Sequence, residues 1–366
     1  MFEKEPGRTA GLMHSAGQRA PRQPSIKDIA RLAHVSHPTV SRALHNSPLV
    51  RPETAEKIRR IAAETGYRAS AVARGLVTRQ TRTVGLVVTT VSDPFAAEVA
   101  CGVEQTANDY GYAVFLADSN ADPKRERSVV QELAERRVDG IIVTSSRVGA
   151  LYLPLLKQLN VPIVLVNDQF PGAFVHSVMI ANRAGSRAVM KHLIGLGHKR
   201  IAYIGDRNGY QSDVERLASY KQALAEAGIE FDAKLAVKGN GGTATAIKAM
   251  NGLLDLDRQP TAVCCYNDMT ALGAMRAIHA RGLRIPADIS VTGFDDLFFS
   301  GYLDPPLTTV HQPMRRMGEI AMENLFKLMS GEQSVAQAEV KAKLIVRGST
   351  GKAKTARGLT PKSRRR

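Results

Sequence analysis

Apolar residues follow two different spacings along the 366-residue chain. Near the N-terminus they recur every three or four positions, which is the spacing of amphipathic helices. From Val84 onward, apolar runs of strand length alternate with helical patterns at intervals of about thirty residues. The predicted strands are 84–89, 112–117, 140–144, 163–167, 200–205, 262–266 and 290–294. This alternation predicts an α/β fold with parallel sheets, and about 265 residues of it exceed one sheet domain, so we expect two lobes.

The N-terminal pattern predicts three short helices. The first covers residues 26–33, whose apolar side chains recur at i, i+3, i+4 and i+7. Ser36 is a suitable N-cap for the second helix, and Pro38 falls in its first turn, where a missing N–H has no cost. A third helix is expected from about Pro52 to Thr65, followed by Gly66 at the C′ position. Two short helices joined by a tight turn and supported by a third predict a helix-turn-helix, whose second helix enters the major groove of DNA.

Charge is concentrated at the two ends of the chain. The total is +16, of which residues 25–81 carry +6 and residues 350–366 carry +7, whereas residues 82–349 carry only +1. Positive charge on a small module favours a polyanionic partner, since each neutralised phosphate releases counterions. A basic tail that only maintains solubility is an alternative for residues 350–366.

The second helix provides the candidate base contacts. Arg42 can reach guanine O6 and N7, His37 can donate or accept at a base edge, and Pro38 can contact a thymine methyl. Small polar residues nearby are better interpreted as phosphate contacts or caps. The predicted DNA contacts of the module are Lys27, Ser36, His37, Pro38, Thr39, Ser41, Arg42, His45 and Asn46. The alternative is a three-helix bundle with a solvated basic face.

The stretch IKDIARLAHVSHPTVSRAL, residues 26–44, resembles the headpiece of the LacI (lactose repressor) family, and the similarity continues through most of the chain. The resemblance implies a two-lobed core like that of type I periplasmic binding proteins, with lobe crossings near Ala181, Thr308 and Lys343. Two positions of the headpiece depart from the family. His34 stands where Gly is usual in the turn, and Arg51 stands where a Ser usually caps the third helix.

We expect the chain to divide into a disordered arm (1–24), a headpiece (25–69), a hinge helix or linker (70–82), a core (83–348) and a basic disordered tail (349–366), of which the hinge helix and the core are implied by the resemblance. The hinge helix would pair with its twin in a homodimer and enter the minor groove. Arg74 and Leu76 are its predicted DNA contacts, with Leu76 wedging between base pairs. A passive linker is the alternative.

Polar and aromatic residues at strand ends predict a small-molecule site between the lobes. By resemblance, Arg216 in ERLASY matches an effector-binding Arg. The candidate effector contacts are Phe95, Thr144, Asn167, Arg216, Tyr266, Asn267, Asp268, Asp295 and Gln312. Arginine beside carboxylates and amides suits a carbohydrate. The alternative is that Asp268 and Asp295 cap the following segments and that Arg216 pairs with them.

Patterns of catalysis and of cofactor or metal binding are not found. The glycine-rich stretch GNGGTATA, 239–246, has neither the spacing of a dinucleotide-binding motif nor the Lys of a P-loop. His34 and His37 have a spacing that could suit a metal ion, but no Cys or carboxylate cluster supplies the remaining ligands. The odd number of cysteines, three, favours a reducing compartment over a disulfide framework. The sequence shows no apolar run long enough to span a membrane and no secretory signal pattern, so we expect a cytoplasmic location. We therefore predict a transcriptional regulator, a repressor rather than an enzyme, which binds pseudo-palindromic double-stranded DNA as a homodimer. The alternative is a periplasmic-type solute-binding protein without a transcriptional role.

Overall fold

The computed structural model describes residues 24–67, 80–148, 161–169 and 176–354. They form two compact units that divide between Thr81 and Arg82. Arg74 and Leu76 lie outside the described residues, so the hinge and its DNA contacts stay predictions.

The N-terminal unit contains three helices, α1 (Ile26–Ala33), α2 (His37–Leu44) and α3 (Pro52–Glu64). Their apolar faces form one small core, made by Ile29, Ala30, Ala33, Val40, Ala43, Ala55 and Ile58. Ser25 and Asp28 form a capping box at the start of α1, which satisfies N–H groups that have no partner within the helix. Ser36 caps α2 by accepting a hydrogen bond from the Thr39 N–H.

The two departures from the family pattern have different structural outcomes. His34 adopts the left-handed conformation, with φ 57° and ψ 42°, so the turn keeps its geometry although the residue is not glycine. Arg51 precedes α3 and makes no side-chain cap, and Pro52 begins the helix without needing an N–H partner.

The first lobe of the larger unit is a six-stranded parallel sheet, ordered β11-β5-β4-β3-β1-β2. Its strands are β1 (Thr83–Val88), β2 (Ala113–Asp118), β3 (Gly140–Thr144), β4 (Ile163–Val166), β5 (Ser177–Ile180) and β11 (Ala338–Val340). Its helices are α4 (Pro94–Asp109), α5 (Pro123–Glu135) and α10 (Met314–Met329). Helix α10 crosses α4 closely because glycines lie at the contact: a Cβ on Gly102 would lie 2.0 Å from the Arg315 carbonyl oxygen.

The second lobe contains a four-stranded parallel sheet, ordered β7-β6-β8-β9. Its strands are β6 (Ile201–Asp206), β7 (Ala236–Gly239), β8 (Ala262–Cys265) and β9 (Ser290–Thr292). Its helices are α6 (Asn182–Gly195), α7 (Gln211–Glu226), α8 (Thr243–Leu254) and α9 (Asp268–Ala280). The predicted α/β class with parallel sheets is confirmed.

The chain passes between the lobes three times. It leaves β5 of the first lobe and enters α6 of the second at Ala181. It returns through β10 (Thr309–His311) into α10, and it leaves β11 for β12 (Lys343–Ile345). Strands β10 and β12 pair antiparallel with each other, so two of the passages are joined by backbone hydrogen bonds.

The C-terminal part of the core extends further than the sequence indicated. Residues 349–354, assigned to the disordered tail, pack on the second lobe: Ser349 is fully buried, and its hydroxyl donates to the Val291 carbonyl oxygen at 2.6 Å. The Ala353 N–H donates to the Leu196 carbonyl oxygen at 2.9 Å. Glycine and lysine in this segment suggested disorder, but its backbone groups find partners on the second lobe.

Candidate functional site

Two separate surfaces carry the candidate chemistry, one on each compact unit. On the N-terminal unit, His37, Pro38, Arg42 and His45 are all exposed on α2, and Lys27 is exposed on α1. These side chains are therefore accessible for contacts with DNA.

Other predicted DNA contacts make hydrogen bonds within the headpiece. The Ser36 and Thr39 hydroxyls lie 2.9 Å apart at the start of α2. The Ser41 carbonyl oxygen lies 2.7 Å from Nδ1 of the His45 ring. Arg59 donates to Asn46 Oδ1 at 2.7 Å. Ser36 thus caps α2 and Thr39 supports this cap, whereas Asn46 links the end of α2 to Arg59 of α3.

The second surface is a cavity of about 430 Å³ between the two lobes of the larger unit. This volume falls in the range of small-molecule sites. Seven of the nine predicted effector contacts line it: Phe95, Asn167, Arg216, Tyr266, Asn267, Asp295 and Gln312. Further polar residues of the lining were not predicted from the sequence, namely Thr89, Thr90, Ser92, Asp93, Ser145, Gln169, Asp206, Arg207, Asn208, Tyr210 and Asn240.

Thr144 and Asp268 are not among the lining residues. The Thr144 hydroxyl is buried and donates to the Val87 carbonyl oxygen. Asp268 is 0 % exposed, and its carboxylate accepts hydrogen bonds from the Leu297 N–H, the Ser300 hydroxyl and the Thr309 hydroxyl. Burial raises the pKa of Asp268 to about 6. Asp268 therefore links the start of α9 to residues 297–300 and to β10, a structural role that differs from capping the segment that follows it.

Arg216 is fixed by contacts with three neighbouring residues. Its Nε donates to Asn182 Oδ1 at 3.0 Å, and its Nη1 donates to the Tyr266 carbonyl oxygen. Its guanidinium carbon lies 3.5 Å from the centre of the Phe294 ring. Burial raises the pKa of Asp295, and the positive charge of Arg216 partly opposes this rise. These protein contacts orient the arginine at the cavity wall.

Three acceptor atoms around the cavity have no hydrogen-bond partner among the described residues. They are Asn167 Oδ1, Asp206 Oδ2 and Gln312 Oε1, and all three residues are buried. A buried polar atom without a partner costs about 1–3 kcal/mol. The three atoms can accept hydrogen bonds from hydroxyl or amino groups of a ligand. Asp206 is the last residue of β6, and burial raises its pKa.

Comparisons with known proteins agree with this division of the chain. Residues 25–70 match the family model for bacterial regulatory proteins of the lacI family, and residues 190–350 match a periplasmic binding protein-like domain. The HTH-type transcriptional repressor PurR of Vibrio atlanticus (strain LGP32) is 38% identical over 304 residues, which cover 83% of this chain and 91% of that protein. This chain belongs to the lacI family.

Other lacI-family proteins are similar along most of the chain. The ribose operon repressor of Haemophilus influenzae (strain ATCC 51907 / DSM 11121 / KW20 / Rd) is 37% identical over 305 residues, covering 83% of this chain and 91% of that repressor. A structure of the lac repressor dimer bound to operator and the anti-inducer ONPF has a TM-score of 0.82 and 28% identity, covering 90% of this chain and 100% of that one. A ribose-bound LacI family regulator from Enterococcus faecium has a TM-score of 0.68 and 25% identity, covering 74% of this chain and 100% of that one.

Membership of the lacI family makes this chain a DNA-binding transcriptional regulator. The predicted family is confirmed, and a solute-binding protein without a transcriptional role is not favoured, since residues 25–70 match the family's regulatory domain. The relatives named above are transcriptional repressors, not enzymes. Within the described residues, no helix is long and apolar enough to cross a membrane.

Proposed function

We propose that this lacI-family chain represses transcription as a homodimer on a pseudo-palindromic operator, and that a polyhydroxylated small molecule in the interlobe cavity changes its affinity for that operator. A coupling of about 1–3 kcal/mol would change operator affinity by about 5 to 150-fold.

The proposed DNA contacts begin with exposed side chains of α2. Arg42 carries a planar pair of donors that suits guanine, and His37 and Pro38 lie one turn earlier on the same helix. Lys27 would contact phosphate and position the unit on the duplex. We further propose, from the sequence alone, that Arg74 and Leu76 contact the DNA in its minor groove.

A homodimer is supported by an exposed apolar edge of the first lobe. Strand β2 lies at the edge of the six-stranded sheet, and there Phe115 is 47 % exposed and Leu116 is 54 % exposed. Large apolar side chains on an open strand edge are a liability for a monomer, because they favour pairing with another chain. A second copy would cover them and would bring the second headpiece required by a pseudo-palindrome.

The observation that carries the effector proposal is the set of three buried acceptors around the cavity, at Asn167, Asp206 and Gln312. Several acceptors beside a fixed arginine match a molecule with several hydroxyl groups, since each hydroxyl both donates and accepts hydrogen bonds. Phe95 and Tyr266 add apolar surface to the same cavity. The ribose in the Enterococcus faecium regulator and the cellobiose in the CelR complex, which has 31% identity and a TM-score of 0.67, are carbohydrates.

The DNA half of the proposal is tested by fluorescence anisotropy with duplexes from the chain's own promoter region and with random duplexes, over a series of salt concentrations. We expect tighter binding to one promoter duplex and an affinity that falls steeply with salt. Equal affinity for all duplexes would contradict sequence-specific regulation.

The effector half is tested by thermal unfolding of the full-length protein with D-ribose, cellobiose and free nucleobases. We expect a carbohydrate to raise the unfolding temperature and to alter operator affinity in the anisotropy assay. Stabilisation by a nucleobase alone would overturn the carbohydrate class and leave the regulator intact.

A further inference from the structure

A glutamine of the first lobe supplies hydrogen-bond acceptors to a helix of the second lobe. Gln169 follows β4, and α7 begins at Gln211 in the other lobe. Gln169 Oε1 accepts hydrogen bonds from the Ser212 N–H at 3.3 Å and from the Ser212 hydroxyl at 2.9 Å. The Gln169 carbonyl oxygen accepts from the Gln211 N–H at 3.2 Å. The first turn of α7 thus depends on the opposite lobe for these bonds.

The helix has no cap of its own at this end. The N-cap residue of α7 is Tyr210, whose side chain makes no capping hydrogen bond. The first N–H groups of a helix have no partner within it and must find acceptors elsewhere. Gln169 is only 3 % exposed, and its Nε2 donates to the Asn167 carbonyl oxygen at 2.8 Å. Its amide is therefore oriented with the oxygen toward α7.

The same contact continues to the arginine of the cavity. The Ser212 hydroxyl also lies 2.8 Å from the Tyr266 hydroxyl. Because the single Ser212 hydroxyl proton is directed at Gln169, Tyr266 is the donor in this second bond. The Tyr266 carbonyl oxygen accepts from Arg216, whose guanidinium carbon lies 4.9 Å from the centre of the Tyr266 ring.

We propose that Gln169 acts as a positioning residue: it caps α7 across the cleft, holds the two lobes together and fixes Tyr266 and Arg216 for the effector. When the lobes separate, α7 loses this cap and Tyr266 loses its ordered acceptor. The inference rests on the proposed function in one respect, that an effector acts on a cleft whose width can change.

Hydrogen exchange of the ligand-free, full-length protein provides the first test. Gln169→Ala removes the acceptor of the Ser212 N–H. We expect about fivefold faster exchange of the amides at the start of α7, the factor that corresponds to about 1 kcal/mol of lost capping. Gln169→Glu keeps an acceptor beside the helix N-terminus but loses the donation from Nε2 to the Asn167 carbonyl oxygen, so it should slow exchange only part of the way back. Gln222→Ala is the matched control, because Gln222 is exposed on the same helix and bonds only Glu226 among the described residues.

The second test measures the distance between the lobes directly. Spin labels at the exposed positions of Lys124 and Ala225, with the exposed Cys101 changed to Ser, report this distance by pulsed electron paramagnetic resonance. Gln169→Ala should give a longer and broader distance distribution, and Gln169→Glu should return it part of the way to that of the labelled protein with Gln169. A purely structural role would raise exchange in both lobes without changing the distance distribution.

The proposal is overturned if Gln169→Ala leaves either α7 exchange or the interlobe distance unchanged, or if exchange rises equally throughout both lobes. If Gln169→Ala does not fold, Ser212→Ala takes its place, since it removes the hydroxyl bonds to Gln169 and Tyr266 but keeps the backbone N–H. An unchanged distance distribution in that variant would overturn the proposal as well. Neither measurement uses DNA or an effector, so its failure is distinct from a failure of operator binding.

Discussion

The guanidinium carbon of Arg216 lies over the Phe294 ring, 3.5 Å from its centre, while the Arg216 Nε donates to Asn182 Oδ1. Phe294 lies in the segment after β9, and Asn182 is the first residue of α6. Arg216 therefore contacts both parts of the second lobe at the cavity wall. Lysine cannot reproduce a planar group that stacks and donates at the same time.

Arg216→Lys should therefore remove the stabilisation of the protein by a carbohydrate ligand. We expect the rise in unfolding temperature with D-ribose to disappear, which corresponds to at least tenfold weaker binding, or about 1.4 kcal/mol. Operator affinity without ligand should stay within twofold. Arg281→Lys is the control, because Arg281 pairs with Asp255 on the surface at 2.8 Å. An undiminished ribose effect in Arg216→Lys would exclude the arginine from the site.

Asp268 should make stability depend on pH in a defined window. Its pKa is raised to about 6 in the folded protein by burial, above the value of about 3.9 in an unfolded chain. The folded state therefore binds the proton more tightly, and the contribution of Asp268 to stability decreases as pH rises from about 4 to about 6. Urea unfolding at a series of pH values checks this against Asp268→Asn, which does not titrate there. A constant difference between the two proteins over that window would contradict the prediction.

Arg42→Ala should weaken specific binding by about 1–3 kcal/mol and relax the base preference at one operator position. The physical reason is the loss of a planar double donor on the exposed face of α2. Anisotropy titrations against single-base operator variants measure the effect. Arg60→Ala is the control, since Arg60 is exposed on α3 and lies 4.0 Å from Glu64. A uniform loss for every duplex would identify Arg42 as a phosphate contact instead.

His34→Gly should stabilise the headpiece by about 1 kcal/mol. His34 has φ 57°, where a side chain costs about 1–2 kcal/mol and glycine does not. Slower hydrogen exchange of amides in α1 and α2 would show the gain. His37→Gly serves for comparison, because His37 has helical geometry and glycine there should accelerate exchange.

Leu116→Glu should convert the proposed dimer into a monomer at micromolar concentration. A charge placed on the exposed edge of β2 could not be buried against a second copy without a large desolvation cost. Sedimentation velocity measures the change in mass. Val346→Glu, at a residue 57 % exposed outside the strands, should leave the mass unchanged. A dimeric Leu116→Glu would place the interface elsewhere.

The sequence predicted the large elements better than the small ones. Long apolar runs such as β1 and β3 were found because every residue of a buried parallel strand tends to be apolar. Strands β5, β7, β10, β11 and β12 were missed, since segments of only three or four residues leave no detectable period. The segment 349–354 was missed for a related reason, because backbone hydrogen bonds hold much of it and side-chain pattern does not reveal them.

At the candidate site, the rule that ligands lie at the ends of strands, together with the family resemblance, led to seven residues that line the cavity, whereas Asp268 does not line it. Residues 267 and 268 both follow β8, but only Asn267 lines the cavity, and this difference depends on loops more than thirty residues away. Asp206 could have been found, since it ends β6 in the pattern IAYIGD. Gln169 gave no signal, because its partner Ser212 is 43 positions away and belongs to the other lobe.

The packing of residues 349–354 on the second lobe determines which C-terminal fusions and deletions allow the protein to fold. His198 is buried and contacts the Gly351 carbonyl oxygen at 3.0 Å, and Lys354 pairs with Asp288. An affinity tag fused beyond Lys354 would preserve these bonds. A deletion from Ser349 would remove the hydroxyl that accepts from the buried Thr308 N–H and the Gly351 carbonyl oxygen that contacts His198, and it would lower the yield of folded protein.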